Sequence, residues 1–437
     1  MTLKSLLSHS IEAYTAVRTD PRPADAVLSD YLRVRKYLGS QDRKFISEAV
    51  YATLRQELSL ERFIRTARPD FATPLTYALL IFLSLAQRSQ GNWVSLTSEL
   101  IALPEETLSD LQSRFLSYCQ TQTLSERFSF PEWVTERLRL EFSDCELERL
   151  YAALNCEAPL TLRTNRLLIS RTELQERLLR ENITTTVGTL SPDALLCEKR
   201  QPIFQTEAFK QGLCEIQDEG SQLISLLLNP KPKTITLDAC AGGGGKTLHL
   251  ATLMQNKGKV YAYEKYPKRF GNIRKRLKRA ALHNVELLDS DEKLQRFCEK
   301  FGGRVDNILL DVPCTGSGTL RRNPDLKRRL TPDSLERIQD VQSKILDTYA
   351  PLLKRGGRLV YATCSIFREE NERQIEAFLS RNPQFSLLPV SEVVKEIRIE
   401  ADLTRLRERL KDETYLKLFP HRDNTDGFFA AVLTRHW

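Results

Sequence analysis

One stretch of the chain limits the possible folds more than any other. Residues Thr234–Thr247 read TITLDACAGGGGKT, which is a β-branched and apolar run, one carboxylate and then four consecutive glycines. The residues after the glycines have the pattern of a helix. A strand that ends in a glycine turn at a helix N-terminus is where open α/β sheets bind nucleotide-like ligands. The sequence therefore predicts an α/β domain with its ligand site at this turn.

Three interpretations of the turn compete. A phosphate-binding P-loop needs a glycine five residues before the Gly-Lys-Thr triplet, but Cys240 stands there, so the P-loop pattern fails by one residue. An ordinary turn has no need of four glycines, which are entropically costly unless a ligand or a backbone comes close. A loop with Asp238 at the strand end and carboxylates on later strands suits S-adenosylmethionine, which carries a sulfonium and no phosphate.

Length, charge and cysteine usage limit the class of protein. A chain of 437 residues predicts two or three domains, and a net charge of +8 favours a polyanionic partner. The nine cysteines are odd in number and include no CxxC pair, so we expect no metal site and no disulfide scaffold. The apolar run Leu75–Ala86 is too short to span a membrane, which takes about 20 residues. We expect a cytoplasmic protein with no membrane segment.

The hydrophobic pattern changes twice along the chain. Residues 1–150 have apolar residues at three- and four-residue spacing, as in Ile46, Ala49 and Val50, which predicts an all-α domain. Residues 151–228 contain short β-rich pieces around one helix, which predicts a small α+β module. In residues 229–437 strands and helices alternate, which predicts a mostly parallel, doubly wound, Rossmann-like sheet. The predicted strands are Thr234–Ala239, Lys259–Tyr263, Val285–Leu288, Val305–Asp311, Arg358–Thr363 and Gly427–Leu433, and the predicted helices are Lys246–Gln255, Pro267–Ala281, Thr331–Tyr349 and Glu369–Ser380.

Two cysteines follow neighbouring strands of this sheet. Cys314 comes after Asp311-Val312-Pro313, and Cys364 comes after Thr363. A single buried cysteine is usually an inert small hydrophobe, but two at the ligand-binding ends of strands indicate chemistry. A thiol beside S-adenosylmethionine suits methylation of a pyrimidine at carbon 5, because a thiolate that adds to carbon 6 makes carbon 5 nucleophilic.

The same chemistry needs an acid and a base. A protonated Asp311 would support the charge that grows at ring nitrogen 3. A second cysteine or a water would help to remove the proton from carbon 5 after methyl transfer. The residue pattern alone leaves open which thiol attacks.

Further carboxylates end the next strands. Glu264 follows the second strand and is placed to accept hydrogen bonds from ribose hydroxyls, with an ion pair to Lys265 or Arg269 as the alternative. Asp291 follows the third strand and is predicted to accept from an adenine amino group, and Asp289 is its close rival.

Five motifs in order resemble the RNA 5-methylcytosine methyltransferases of the ribosomal RNA small-subunit methyltransferase B family. They are QDEGSQ at Gln217–Gln222, DACAGGGGKT at Asp238–Thr247, DVPCTGSGT at Asp311–Thr319, ATCSI at Ala362–Ile366 and DGFFAA at Asp426–Ala431. Upstream, Leu38–Gln56 looks like the NusB-like helical RNA-binding domain of bacterial members. The resemblance implies that residues 1–150 are this NusB-like domain, that residues 151–228 are a linker or RNA-binding module, and that residues 229–437 are the catalytic domain.

The resemblance also assigns roles to residues. It makes Cys364 the nucleophile, gives Cys314 a part in product release and places Asp311 against the base. It implies methylation of carbon 5 of a cytosine in ribosomal RNA, of the 16S type, with S-adenosylmethionine as cofactor, and we expect the protein to be a monomer. The predicted cofactor contacts are Asp238, Cys240, Ala241, Gly242, Gly243, Gly244, Gly245, Lys246, Glu264, Arg269, Asp291 and Asp311.

The chain departs from the family at the glycine loop. The family usually reads Cys-Ala-Ala-Pro-Gly-Gly-Lys, whereas Gly242 and Gly243 replace the second alanine and the proline. Loss of a proline makes the free loop more flexible. The departure therefore predicts weaker affinity for S-adenosylmethionine.

Two basic runs fit an RNA partner, since cations that contact phosphates position a nucleic acid without reading its sequence. A solvated helix face is the alternative for each. The first run is Arg274, Lys275, Arg276, Lys278 and Arg279, and the second is Arg321, Arg322, Lys327, Arg328 and Arg329.

Two other functions compete with RNA methylation. In a DNA cytosine-5 methyltransferase the Pro-Cys thiol, Cys314, would be the nucleophile. A non-catalytic RNA-binding assembly factor would retain the fold without turnover, and the altered glycine loop is the only support for it.

Overall fold

The structure is a computed structural model that describes residues 1–88, 90–199, 201–397 and 401–437. The chain divides into two compact units. The first contains Met1–Cys156 together with Leu320–Pro332, and the second contains Glu157–Thr319 together with Asp333–Trp437. The sequence pattern gave no sign that a segment just after the Pro-Cys motif belongs to the first unit.

The first unit is helical through its described residues up to Cys156. In α3 the buried residues include Ile46, Ala49, Val50 and Leu54, which is the predicted apolar stripe. The stripe packs into a core shared with the neighbouring helices. The helices are α1 (Leu3–Thr19), α2 (Ala24–Val34), α3 (Ser40–Ala67), α4 (Thr73–Arg88), α5 (Trp93–Ile101), α6 (Glu105–Cys119), α7 (Leu124–Arg127), α8 (Glu132–Leu138) and α9 (Asp144–Asn155).

The second unit begins with a small antiparallel sheet. Its strands are β1 (Leu160–Thr164), β2 (Thr185–Val187), β3 (Ala194–Cys197) and β4 (Cys214–Ile216), in the order β2-β3-β1-β4. Leu174 and Leu178 of α10 (Arg171–Arg180) pack with Leu162 in its core. Two further helices, α11 (Glu207–Lys210) and α12 (Glu219–Leu228), lead toward the main sheet.

The main sheet has the strand order β10-β12-β9-β8-β5-β6-β7, with β11 paired to β12. Strands β5 to β9 pair in parallel, and β12 is antiparallel to both β9 and β10, so the sheet is mixed. Helix α16 (Leu326–Arg329) belongs to the first unit. The other elements are β5 (Ile235–Asp238), α13 (Gly245–Leu253), β6 (Lys259–Tyr263), α14 (Phe270–Arg279), β7 (Val285–Leu288), α15 (Asp291–Phe301), β8 (Val305–Asp311), α17 (Pro332–Tyr349), β9 (Leu353–Thr363), α18 (Glu372–Arg381), β10 (Phe385–Leu388), α19 (Val390–Glu396), α20 (Thr404–Arg409), β11 (Leu416–Leu418), α21 (Pro420–Asp423) and β12 (Phe428–Arg435).

The predicted alternation of strands and helices is confirmed from β5 to α18, whereas the elements between α18 and β12 were not predicted. The antiparallel edge formed by β10, β11 and β12 makes the sheet less parallel than predicted. Helix α15 was missed, although Leu294, Phe297 and Phe301 recur at helical spacing and pack on the sheet. Across the described part of the chain, every helix is too short or too polar to span a bilayer.

The segment Leu320–Pro332 is held inside the first unit by charged side chains. Lys327 is 2% exposed and its Nζ donates to Arg55 O at 2.8 Å, to Phe128 O at 2.9 Å and to Asn155 Oδ1 at 2.6 Å. Burial lowers the pKa of Lys327 well below its ordinary value.

The neighbouring Arg328 is paired as well, with Glu57 at 3.0 Å and with Glu61. Arg321 is buried like Lys327. The prediction that the second basic run presents Arg321 and Lys327 to RNA phosphates is therefore wrong, because both side chains are buried inside the protein.

Replacing Lys327 by methionine tests this structural role. Lys327→Met keeps most of the aliphatic stem but removes the buried amine that donates to three oxygen acceptors, so we expect the free energy of unfolding to fall by about 2–4 kcal/mol. Urea denaturation of the full chain measures the loss. Lys44→Met is the control, because Lys44 lies exposed on α3. Equal stability of the two variants would contradict the role given to Lys327.

Candidate active site

The glycine loop joins β5 to α13, and hydrogen bonds to Asp238, the last residue of β5, fix its backbone. This carboxylate is 1% exposed and accepts hydrogen bonds from the Thr247 hydroxyl at 2.6 Å and from Cys240 N at 3.4 Å. Gly244 has φ +84°, and a Cβ there would lie 3.1 Å from Ile273 Cγ1, so a glycine is required. Asp238 thus supports the loop from inside the protein.

A cavity of about 650 Å³ lies beside the loop. Among the predicted cofactor contacts, Cys240, Gly242, Glu264, Arg269 and Asp311 line it. The opposite wall comes from α17, which sequence reasoning did not connect with the site because its apolar residues have ordinary helical spacing. These α17 residues are Ile338, Val341, Lys344, Ile345, Thr348 and Tyr349. The size and the mixed lining suit a small-molecule ligand.

Glu264 lines the cavity and is also ion-paired. It is 6% exposed and accepts from Tyr266 N at 2.9 Å and from Arg269 Nη1 at 3.1 Å. The ion pair with Arg269 is therefore present, and the contact of Glu264 with the ribose hydroxyls stays a prediction.

The two rival aspartates after β7 lie outside the cavity lining. Asp291 is exposed at the start of α15 and accepts from the Tyr263 hydroxyl at 3.4 Å, and Tyr263 itself lines the cavity. Asp289 is occupied by Arg274 and by Lys293, the latter at 2.6 Å. The adenine contact of Asp291 stays a prediction.

Lys246 connects the glycine loop with β8. Its Nζ donates to Asp311 Oδ2 at 2.7 Å. Burial alone would lower the pKa of Lys246, but the attraction of Asp311 outweighs it and raises the pKa. A proton-bearing amine and a carboxylate therefore meet at the edge of the cavity.

The two predicted thiols are brought together. Strands β8 and β9 are parallel neighbours with Asp311 opposite Ala362, so the loops that follow them leave the sheet side by side. The Sγ atoms of Cys314 and Cys364 lie 3.2 Å apart. The hydrogen bond with Cys364, together with burial, raises the pKa of Cys314 well above its ordinary value.

A buried carboxylate, Glu370, links the two cysteine loops. It is fully buried and accepts from Thr315 N at 2.8 Å, from the Thr315 hydroxyl at 2.6 Å and from the Ser365 hydroxyl. Gln342 Nε2 of α17 also donates to it, at 2.9 Å. Burial raises the pKa of Glu370 despite these donors. The role of Glu370 was not predicted from the sequence. Acidic residues are common in the first turn of a helix, and Glu370 lies at the start of the predicted helix Glu369–Ser380.

Close backbone contact adds to this link. Gly318 N donates to Cys364 O at 2.9 Å, and Gly427 N donates to Gly318 O at 2.8 Å. A Cβ on Gly318 would lie 2.2 Å from Gly427 O, so no other residue fits. The Pro-Cys loop, the Thr-Cys loop and the start of β12 are therefore packed backbone to backbone.

This combination of sheet, glycine loop and paired thiols defines the class of the protein as a methyltransferase of Rossmann-like fold. Residues 225–434 match the family model described as 16S rRNA methyltransferase RsmB/F, and residues 130–204 match a ferredoxin-like domain of RsmF/B-like methyltransferases. The chain belongs to the RsmB/F methyltransferase family, and its methyl donor is S-adenosylmethionine. The family predicted from the five motifs is confirmed.

Relatives cover nearly the whole chain. A probable ribosomal RNA small subunit methyltransferase B of Synechocystis sp. is 31% identical over 421 residues, which are 91% of this chain and 92% of that protein. A protein of the same description from Bacillus subtilis is 28% identical over 459 residues and covers 100% of both chains. The crystal structure of PH0851 has a TM-score of 0.79 and 26% identity, and covers 100% of this chain and 99% of that one.

Glu370 is a positioning residue, and its loss has a specific signature. Glu370→Ala removes the shared acceptor of three donors in the two cysteine loops and of Gln342 on α17, so we expect methyl transfer to slow more than about tenfold. The affinity for S-adenosylmethionine, measured by calorimetry, is expected to change less than about twofold, because Glu370 does not line the cavity. Glu376→Ala, at an exposed position on α18, is the control. A loss of cofactor affinity without a loss of rate would contradict this role.

Asp238 makes the stability of the protein depend on pH. Burial raises its pKa to about 7, from about 4 in an unfolded chain. The folded state binds this proton more tightly, so the contribution of Asp238 to stability is complete below pH ~4 and is lost as the pH rises toward 7.

We expect the parent protein to lose stability relative to Asp238→Asn across this range, by up to about 1.4 kcal/mol per pH unit. Urea unfolding of both proteins at several pH values between about 4.5 and 7.5 measures the difference. A stability difference that is independent of pH would contradict the shifted pKa of Asp238.

Proposed function

We propose that the protein transfers a methyl group to carbon 5 of a cytosine in 16S ribosomal RNA, through a covalent bond between Cys364 and carbon 6. The main support is the pair of thiols 3.2 Å apart at the ends of two adjacent strands. Pro313, next to Cys314, lines the cavity assigned to the cofactor. Membership of a family described as 16S rRNA methyltransferases supports the choice of substrate.

The cofactor site in this proposal is the cavity beside the glycine loop. Glu264 would accept from the ribose hydroxyls, with Arg269 fixing the orientation of its carboxylate. Asp291 would accept from the adenine amino group, and it is preferred over Asp289 because Asp289 is already paired with Lys293. S-adenosylmethionine supplies an electrophilic methyl group on a sulfonium.

The chain's own groups carry out the other steps. Cys364 Sγ, as the thiolate, forms a bond to carbon 6, and the electron pair of the carbon 5–carbon 6 double bond becomes available at carbon 5. The charge that grows at nitrogen 3 is met by Asp311, to which the Lys246 amine donates a hydrogen bond at 2.7 Å. A protonated Asp311, as expected from the sequence, stays part of the proposal, and the Lys246 amine is a second proton donor beside it.

Cys314 is assigned to the second half of the reaction. Once carbon 5 carries the methyl group, its proton must leave before the bond between Cys364 and carbon 6 can break. Cys314 Sγ lies next to Cys364, so it is placed to help this elimination directly or through a water.

The RNA partner is expected to contact exposed cations of the second unit. Lys275 and Lys278 of α14 are exposed, whereas Arg274, Arg276 and Arg279 are occupied by carboxylates. The target cytosine must be unpaired or flipped out of a helix to reach the thiols.

The domain assignments stay proposals. We propose a NusB-like RNA-binding role for residues 1–150, a linker or RNA-binding role for residues 151–228 and catalysis by residues 229–437. Their support is the helical first unit, the small antiparallel sheet and the family match that begins at residue 225. We further propose a monomer that acts in the cytoplasm, where its ribosomal RNA substrate is made.

Separate cysteine variants test the covalent route. We expect Cys364→Ala to form no RNA–protein adduct, and Cys314→Ala to accumulate the adduct because its breakdown is blocked. Denaturing gels of the protein incubated with 16S RNA and S-adenosylmethionine show the adduct as a band of lower mobility. Cys298→Ala on α15 is the control and is expected to behave like the parent.

Two results would change the proposal. A Cys314→Ala protein that forms no adduct would reverse the roles of the thiols, as in DNA cytosine-5 methyltransferases. Bisulfite sequencing of 16S RNA from cells with and without the protein tests the substrate, and an unchanged pattern of 5-methylcytosine would contradict it.

A further inference from the structure

We propose that Arg276 holds the glycine loop in the conformation that binds the cofactor. Its contact with the loop backbone would restrict a loop that is flexible because it contains four glycines. The proposal rests on the assignment of this loop to the cofactor site. It makes Arg276 a positioning residue for S-adenosylmethionine, and removes it from the cations that contact RNA.

The contact is made by one end of a guanidinium that is itself fixed. Arg276 Nη1 donates to Gly243 O, while its Nε and Nη2 donate to Glu215 Oε2 at 3.2 and 3.0 Å. Glu215 is 3% exposed and lies on β4. Because the planar fork is anchored on its other edge, it presents Nη1 to the loop in a defined position.

A second arginine holds the other end of the loop. Arg163 on β1 is 2% exposed, and its Nη1 donates to Gly245 O at 2.7 Å and to Gln217 Oε1. Two carbonyls of the loop, those of Gly243 and Gly245, thus accept from arginines that belong to, or are anchored on, the small antiparallel sheet. The small sheet therefore buttresses the cofactor loop.

The loop needs such support because of its composition. Gly242 and Gly244 have φ +55° and +84°, which glycine adopts without steric cost, but each glycine also has many other conformations in the free state. A loop that must be ordered on binding loses affinity, and a loop ordered in advance does not. The weak affinity expected from the sequence assumed that nothing outside the loop restrains it.

The test is the affinity of full-length protein for S-adenosylmethionine, measured by calorimetry. Arg276→Gln removes a charge-assisted hydrogen bond to a carbonyl, so we expect the Kd to rise about ten- to a hundredfold. The rate at saturating cofactor is expected to stay within about twofold, because Arg276 does not line the cavity. Hydrogen exchange of residues 240–246 in the free protein is expected to be faster in Arg276→Gln than in the parent.

The matched control is Arg279→Gln. Arg279 lies on the same helix, pairs with the same Glu215 and stacks on Phe209 at 3.8 Å, but donates to no loop carbonyl. We expect this variant to bind S-adenosylmethionine within about twofold of the parent. If the ion pairs of Glu215 were what matters for binding, the Kd for S-adenosylmethionine would rise in both variants.

A second substitution tests whether loop order is the cause. The backbone of Gly243 is outside the left-handed region, and a Cβ there would lie 3.4 Å from Arg276 Nη1, so alanine fits. Gly243→Ala restricts the free loop and is expected to tighten binding by about two- to fivefold in the Arg276→Gln background. Gly244→Ala, at φ +84° and 3.1 Å from Ile273, is expected to weaken binding instead.

The outcomes separate this inference from the proposed function. A parent protein that binds no S-adenosylmethionine would overturn the assignment of the loop as the cofactor site. A parent that binds, with Arg276→Gln indistinguishable from Arg279→Gln in Kd and in loop exchange, would overturn the role of Arg276 alone. If Arg276→Gln does not fold, Arg276→Lys takes its place, because a lysine keeps the charge but cannot bind Glu215 and Gly243 O with one planar fork. A Kd of Arg276→Lys equal to that of Arg279→Lys would then overturn the role of Arg276.

Discussion

Parallel pairing of β8 with β9 is the constraint on which the site depends. Both strands end at the same edge of the sheet, and the register sets Asp311 opposite Ala362. The Pro-Cys and Thr-Cys loops therefore start from adjacent points, although their cysteines are 50 residues apart in sequence. A slip of one residue in this register would turn every side chain of the slipped strand to the other face of the sheet and separate the thiols.

Buried charged side chains fix the loops around the site, which have no strand pairing of their own. Glu370 joins the two cysteine loops, and Arg163 joins the small sheet to the glycine loop. An isolated buried charge is costly, but each of these groups has several hydrogen-bond partners that compensate for the lost water. Irregular loops have few apolar contacts to fix them, so charge-assisted hydrogen bonds determine their shape.

Much of the fold and part of the site were predictable from the sequence. The glycine turn, the alternation of strands and helices and the two strand-end cysteines are local patterns, and a local pattern can be read without knowing its neighbours. The functions of Glu370, Arg276 and Lys327 were not predictable, because a charged residue in a polar run looks the same whether it faces water or a buried partner. The wall of the cavity formed by α17 was missed for a similar reason, since an apolar helix face does not reveal what packs against it.

The segment Leu320–Pro332 limits how the protein can be divided into fragments that fold on their own. The chain passes between its two units at Cys156, at Thr319 and again at Pro332, so no single cut separates them. A fragment that begins at Glu157 would retain Lys327 and Arg328 but lose the oxygen atoms that accept hydrogen bonds from them. A shorter protein without the first 156 residues would therefore need a different sequence at residues 320–332.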